Sequence, residues 1–157
     1  WSSDVCSSDL RRPVRAARKP TAMERLRRPA RMEFLHELLE FIDAGAKRLG
    51  FDESARGRIR LASEEALVNV ILHAYAGADG EVEAGLSGGE DRSLRIEIRD
   101  RGAAFDPLAE AEPDLEAGLA DRKIGGLGIF FIREAADRAA YRREGEENIL
   151  TLYFIRT

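Results

Sequence analysis

The chain has 157 residues, 44% of them hydrophobic, which suffices for one packed core and one domain. Its one cysteine, Cys6, leaves no disulfide framework or thiolate metal cluster, and no apolar run approaches the roughly 20 residues that a bilayer span needs. The formal net charge of -4 is unevenly spread, because residues 11–31 hold nine basic residues and one acid, Glu24; the acidic remainder is poorly suited to direct DNA binding, and the reducing cytoplasm is the expected compartment.

Residues 1–31 show no apolar period, contain Pro13, Pro20 and Pro29, and read as a disordered basic arm whose first ten residues look extraneous. The folded domain is expected over 32–157. From Phe34 the residues Leu35, Leu38, Leu39, Phe41, Ile42, Ala46 and Leu49 recur at helical spacing, and Gly50 supplies a stop. A second helix is expected from Asp52, a capping residue, to about Tyr75, ending at the turn Gly77-Ala-Asp-Gly80. Val82–Leu86 and Leu94–Arg99 read as a hairpin with Leu94, Ile96 and Ile98 on its buried face. Residues 103–124 form a long acidic loop, with a short helix expected around Leu115 to Ala120. A third helix follows Gly128, and the strands Ala139–Arg143 and Ile149–Ile155 flank the turn Glu144-Gly-Glu-Glu147. Four strands and three helices make an α+β chain: a two-layer sandwich with three helices on one face of a mostly antiparallel sheet.

Three segments carry candidate chemistry. Glu65, Asn69 and His73 are spaced by four on the second helix and should stack into one polar column, flanked by Ile59, Ala62, Ala66, Val70 and Ala74 on one side and by Leu61, Val68 and Leu72 on the other. The bland alternative is a solvated helix face. Asp100 ends a strand two residues before Gly102; the acid can accept from an amine and the glycine lets a ring approach the backbone, although Asp and Gly also end many ordinary turns. Gly125-Gly126-Leu127-Gly128 opens into the third helix, where free N–H groups and the helix dipole favour phosphate, or where a simple hinge would look the same.

In this order and spacing the segments resemble the GHKL ATPase fold shared by histidine kinases, Hsp90-type chaperones, gyrase and MutL-type proteins. Within it, Glu65-Ala-Leu-Val-Asn69-Val-Ile-Leu-His73-Ala-Tyr75 is most similar to the anti-sigma-factor serine/threonine kinases. The resemblance implies ATP and Mg2+ as cofactors. Asn69 would be the Mg2+ ligand and Glu65 the general base toward a serine hydroxyl. Gly126, Leu127 and Gly128 would hold phosphate, Asp100 and Gly102 the adenine, and Thr151 would support Asp100. Ala104 stands where the family commonly has a second glycine, and His73 and Tyr75 match the motif without an assigned role. The implied partners are a STAS-domain anti-anti-sigma protein and a sigma factor or other regulator, with the kinase a homodimer. Two alternatives stand beside this: a nucleotide-gated binding module without phosphotransfer, and a detached histidine-kinase ATPase domain, which His36-Glu37-Leu38 superficially suits.

Overall fold

The computed structural model describes residues 21–89, 92–109 and 126–157. Five strands form one sheet: β1 (Glu24–Pro29), β2 (Glu81–Gly88), β3 (Ser93–Asp100), β4 (Arg138–Glu144) and β5 (Glu147–Ile155), ordered β1-β2-β3-β5-β4, with every neighbouring pair antiparallel. Helices α1 (Leu35–Arg48), α2 (Glu53–Asn69) and α3 (Gly126–Ala135) cover one face, so the α+β sandwich stands as expected. None of the described helices is long and apolar enough to cross a membrane.

The core forms where the apolar periods of the two layers meet. Leu38, Leu39 and Ile42 of α1 and Ile59, Ala62 and Leu67 of α2 bury against Leu94, Ile96 and Ile98 of β3 and Leu152 and Phe154 of β5. Alternation along each strand sends the intervening residues to the opposite face. Asp52 caps α2 as its position suggests, its carboxylate accepting from the Ala55 N–H at 2.8 Å.

One expectation needs correction. The basic arm does not stay outside the domain: Glu24–Pro29 is an edge strand paired to β2 from Glu24↔Leu86 to Pro29↔Glu81. Only Leu26 of this strand packs against the core, so there is no apolar alternation to read. Its order comes instead from charge pairing, with Arg25 and Arg27 donating to Glu83, Arg28 to Glu37, and Glu24 accepting from Arg48. Pro29 is tolerated because an edge position leaves its missing N–H without consequence. The helix expected around Leu115 to Ala120 lies outside the described residues.

Candidate functional site

Glu65 and Asn69 lie one turn apart on α2 and keep the i,i+4 relation that puts them on one face. His73 does not join them. After Asn69 the chain widens into a π-turn, Val70–Ala74, in which each residue advances less about the axis, and His73 leaves the column for solvent. The flanks also differ from each other. Ile59, Ala62, Ala66 and Val70 are buried, whereas Leu61 and Leu72 are 39% and 56% exposed.

The π-turn delivers the end of α2 to the Asp100–Gly102 turn. The Ala74 carbonyl accepts from the Ala103 N–H at 3.1 Å, and a Cβ on Gly102 would come within 2.2 Å of that same carbonyl oxygen. Glycine at 102 is therefore required by the close approach of two backbones. Tyr75 locks the junction from the other side: its hydroxyl donates to the Glu81 carbonyl and accepts from the Arg101 N–H at 2.9 Å, and its ring lies against Gly80. The motif tyrosine thus has a structural role that sequence reasoning did not supply.

At the other end of the column, α3 begins at Gly126 and packs along α2, with its Ile129 and Ile132 buried. The Glu65 carboxylate faces its first turn, where a Cβ on Gly128 would come within 2.6 Å of Glu65 Oε2. Burial holds the Glu65 carboxyl above its ordinary value, and the neighbouring Glu64 charge adds to the rise. Leu127, between the two glycines, is exposed, and Gly125 lies outside the described residues. Arg133 of α3 donates to the Leu108 carbonyl, tying the helix to the beginning of the long loop.

Asp100 is buried at the end of β3, and its Oδ1 accepts from the Gly102 N–H at 2.8 Å and from Asn148 Nδ2 at 2.9 Å. Thr151 is not its support. The register pairs Asp100 with Asn148 and Thr151 with Glu97, so Thr151 projects from the face of the sheet away from the helices. The two β5 residues on the helix side near Asp100 are Leu150, which is apolar, and Asn148, which sequence reasoning passed over. The alternation of Leu150, Leu152 and Phe154 carries the signal for both positions.

The outer face of the sheet is a lattice of a different kind. Glu97, 2% exposed, is surrounded by Arg95, Arg99 and Arg142, and Glu83 by Arg25 and Arg27. Burial alone would raise the Glu97 carboxyl, but the Arg99 hydrogen bond and the charges of the three arginines bring it below its ordinary value.

A family model described as the histidine kinase-like ATPase domain matches residues 28–154. The chain is 30% identical over 134 residues to the serine-protein kinase RsbW of Listeria monocytogenes, covering 82% of this chain and 85% of that protein. It is 34% identical over 122 residues to RsbW of Halalkalibacterium halodurans, covering 74% and 73%. The serine/threonine-protein kinase BtrW of Bordetella bronchiseptica is 30% identical over 117 residues, covering 74% and 82%. In fold, the chain is similar to the crystal structure of the RsbU and RsbW domains of Rv1364c from Mycobacterium tuberculosis, with a TM-score of 0.61 and 16% identity, covering 86% of this chain and 32% of that one. The chain accordingly belongs to the histidine kinase-like ATPase domain family, and within it to the serine/threonine-protein kinases of the RsbW type.

Proposed function

We propose that the residues beside α2 bind Mg-ATP and that the chain transfers its terminal phosphoryl group to a serine of a STAS-domain anti-anti-sigma protein, and alternatively sequesters a sigma factor or similar regulator. The observation that carries this reading is the order of groups along one helix: Glu65 beside the first turn of α3, Asn69 one turn on, and Asp100 and Gly102 docked at Ala74. From residue 65 to residue 69 α2 rises about 6 Å and the π-turn carries the chain on to Ala74, a span that suits an elongated ligand with phosphates at one end and a base at the other.

The residues present suit the nucleotide. Asp100 would accept from the amino group of adenine, Gly102 would pass close to the ring, and the N–H groups of Gly126, Leu127 and Gly128 would meet phosphate at the positive end of the α3 dipole. Asn69, through its amide oxygen, would hold Mg2+. An Mg2+ ion of this kind is bound chiefly by the substrate phosphates and one or two protein ligands. When bound, Mg2+ supplies neutralisation of the phosphate charge. Glu65 would take the proton from the attacking serine hydroxyl, a task for which burial, by raising its proton affinity, makes it a stronger base. The protein is expected to work in the cytoplasm as a homodimer.

The test is incubation of the purified protein with Mg-ATP and the STAS-domain protein encoded nearest to it in its host, followed by mass spectrometry of the partner. Phosphoserine on the partner is expected. Tight nucleotide-dependent binding without any phosphoserine or ADP would replace the kinase reading with a nucleotide-gated binding module.

A further inference from the structure

We infer that Asn148 is the positioning residue that makes Asp100 selective for a 6-amino purine. The inference rests on the nucleotide reading above and concerns a residue outside the groups assigned there.

A carboxylate at a strand end can turn about its last bond, so its value as a recognition group depends on what holds it. Asp100 is held on one side only. Both bonds it accepts, from Gly102 N–H at 2.8 Å and from Asn148 Nδ2 at 2.9 Å, fall on Oδ1, and Oδ2 has no donor among the described residues. Two donors converging on one oxygen fix the plane of the carboxylate and leave the other oxygen as a directed acceptor. The Gly102 donor belongs to the backbone of the turn itself. Asn148 is therefore the side chain on which the orientation depends.

The amide of Asn148 is itself held at every position. Its second N–H donates to the Ala103 carbonyl at 2.9 Å, while its oxygen accepts from the Tyr141 hydroxyl at 2.7 Å, from Arg143 Nη1 at 2.8 Å and from the Phe105 N–H at 3.4 Å. Acceptors gather around the nitrogen and donors around the oxygen, so the amide has one orientation. Asn148 is 6% exposed, and in this setting each of its bonds resists rearrangement. Strands β4 and β5 and the segment after β3 thus converge on one amide whose output is the aim of a single carboxylate oxygen.

An aimed carboxylate oxygen accepts from a 6-amino group and repels a 6-keto oxygen. Selectivity between the two, rather than affinity alone, is the property Asn148 should control. The experiment is calorimetric titration of the full chain with Mg-ATP and with Mg-ITP, which differ at that one position of the ring. The wild type is expected to bind ATP at least about tenfold more tightly. Asn148→Ala is expected to weaken ATP about tenfold and ITP less than about twofold, so that the ratio collapses. Tyr141→Phe removes one bond to the amide at a distance from the ligand and keeps the test available if Asn148→Ala does not fold; its ratio should fall about twofold to threefold.

Equal weakening of both nucleotides would overturn the inference, because a residue that merely stabilises the fold does not distinguish them. A wild type that discriminates, with both variants keeping its ratio, would overturn it while leaving the nucleotide reading intact. A wild type that binds neither nucleotide would remove the nucleotide reading, and this inference with it.

Discussion

Two glutamates on opposite sides of the central sheet meet the same problem with opposite results. Glu97 lies on the outer face, nearly inaccessible to water, with three arginines around it and a carboxyl held below its ordinary value. Glu65 lies in the helical layer beside Gly128, without a salt bridge among the described residues, and burial holds its carboxyl above the ordinary value. A paired buried charge is part of the scaffold. An unpaired one costs stability and keeps its proton affinity available for chemistry.

The largest effect that sharpens this contrast is expected from Glu65→Gln. It should lower phosphotransfer by about 10²–10⁴-fold, the usual contribution of a general base. Thermal melting at neutral pH should be no lower than in the wild type. The sign follows from linkage: an acid whose folded pKa is raised destabilises the fold above that pKa, so the amide relieves a penalty at neutral pH, and this relief should vanish as pH falls below the ordinary glutamate value. If rate and stability fell together, Glu65 would be scaffold like Glu97 and the contrast would collapse.

Glu97→Ala should show the complementary pattern, a loss of about 3 kcal/mol by urea denaturation with the rate per folded molecule almost unchanged. That is the low end for a broken buried ion pair, because the guanidinium groups keep partial access to water. Its pH signature is also opposite. A depressed folded pKa contributes stability that is present above the unfolded value and lost as pH falls through the folded one, so acid titration of the wild type should lose stability over that range and Glu97→Gln should flatten the loss.

The glycines offer a smaller version of the same comparison. At Gly128 an added methyl would come too close to the carboxylate end of the flexible Glu65 side chain, which can shift, so Gly128→Ala should keep or raise stability, as alanine does within a helix, while displacing Glu65 and slowing transfer about tenfold. At Gly102 the methyl would meet the Ala74 backbone, and there stability itself should fall. The smallest effect expected is from Tyr75→Phe, about 1 kcal/mol for the hydroxyl that joins Glu81 to Arg101, read as a lower urea midpoint.

Much of the fold was legible because it is written in local periods. The buried positions of α1, the Asp52 cap, and the β2–β3 hairpin with Leu94, Ile96 and Ile98 inward all follow from side-chain spacing. The first strand was not legible, since its order depends on arginines whose glutamate partner lies 56 to 58 residues away. Thr151 was assigned to the site although the alternation of Leu150, Leu152 and Phe154 sends it to the other face. Ile149 obscures that alternation, being apolar and fully buried on the outer face between Arg99 and Arg142.

Local spacing alone was enough for the layered α+β architecture and for placing Glu65 and Asn69 on one helix face, because both depend on contacts a few residues apart. Which side chains from separate elements lie beside α2 and Asp100 was settled by how those elements pack. The π-turn after Asn69 turned His73 away, the β3–β5 register set Asn148 rather than Thr151 against Asp100, and the approach of α3 brought Gly128 to Glu65. Each of these depends on how separate elements meet, and a shift of one residue in register or of part of a turn in phase would give the same local sequence a different site.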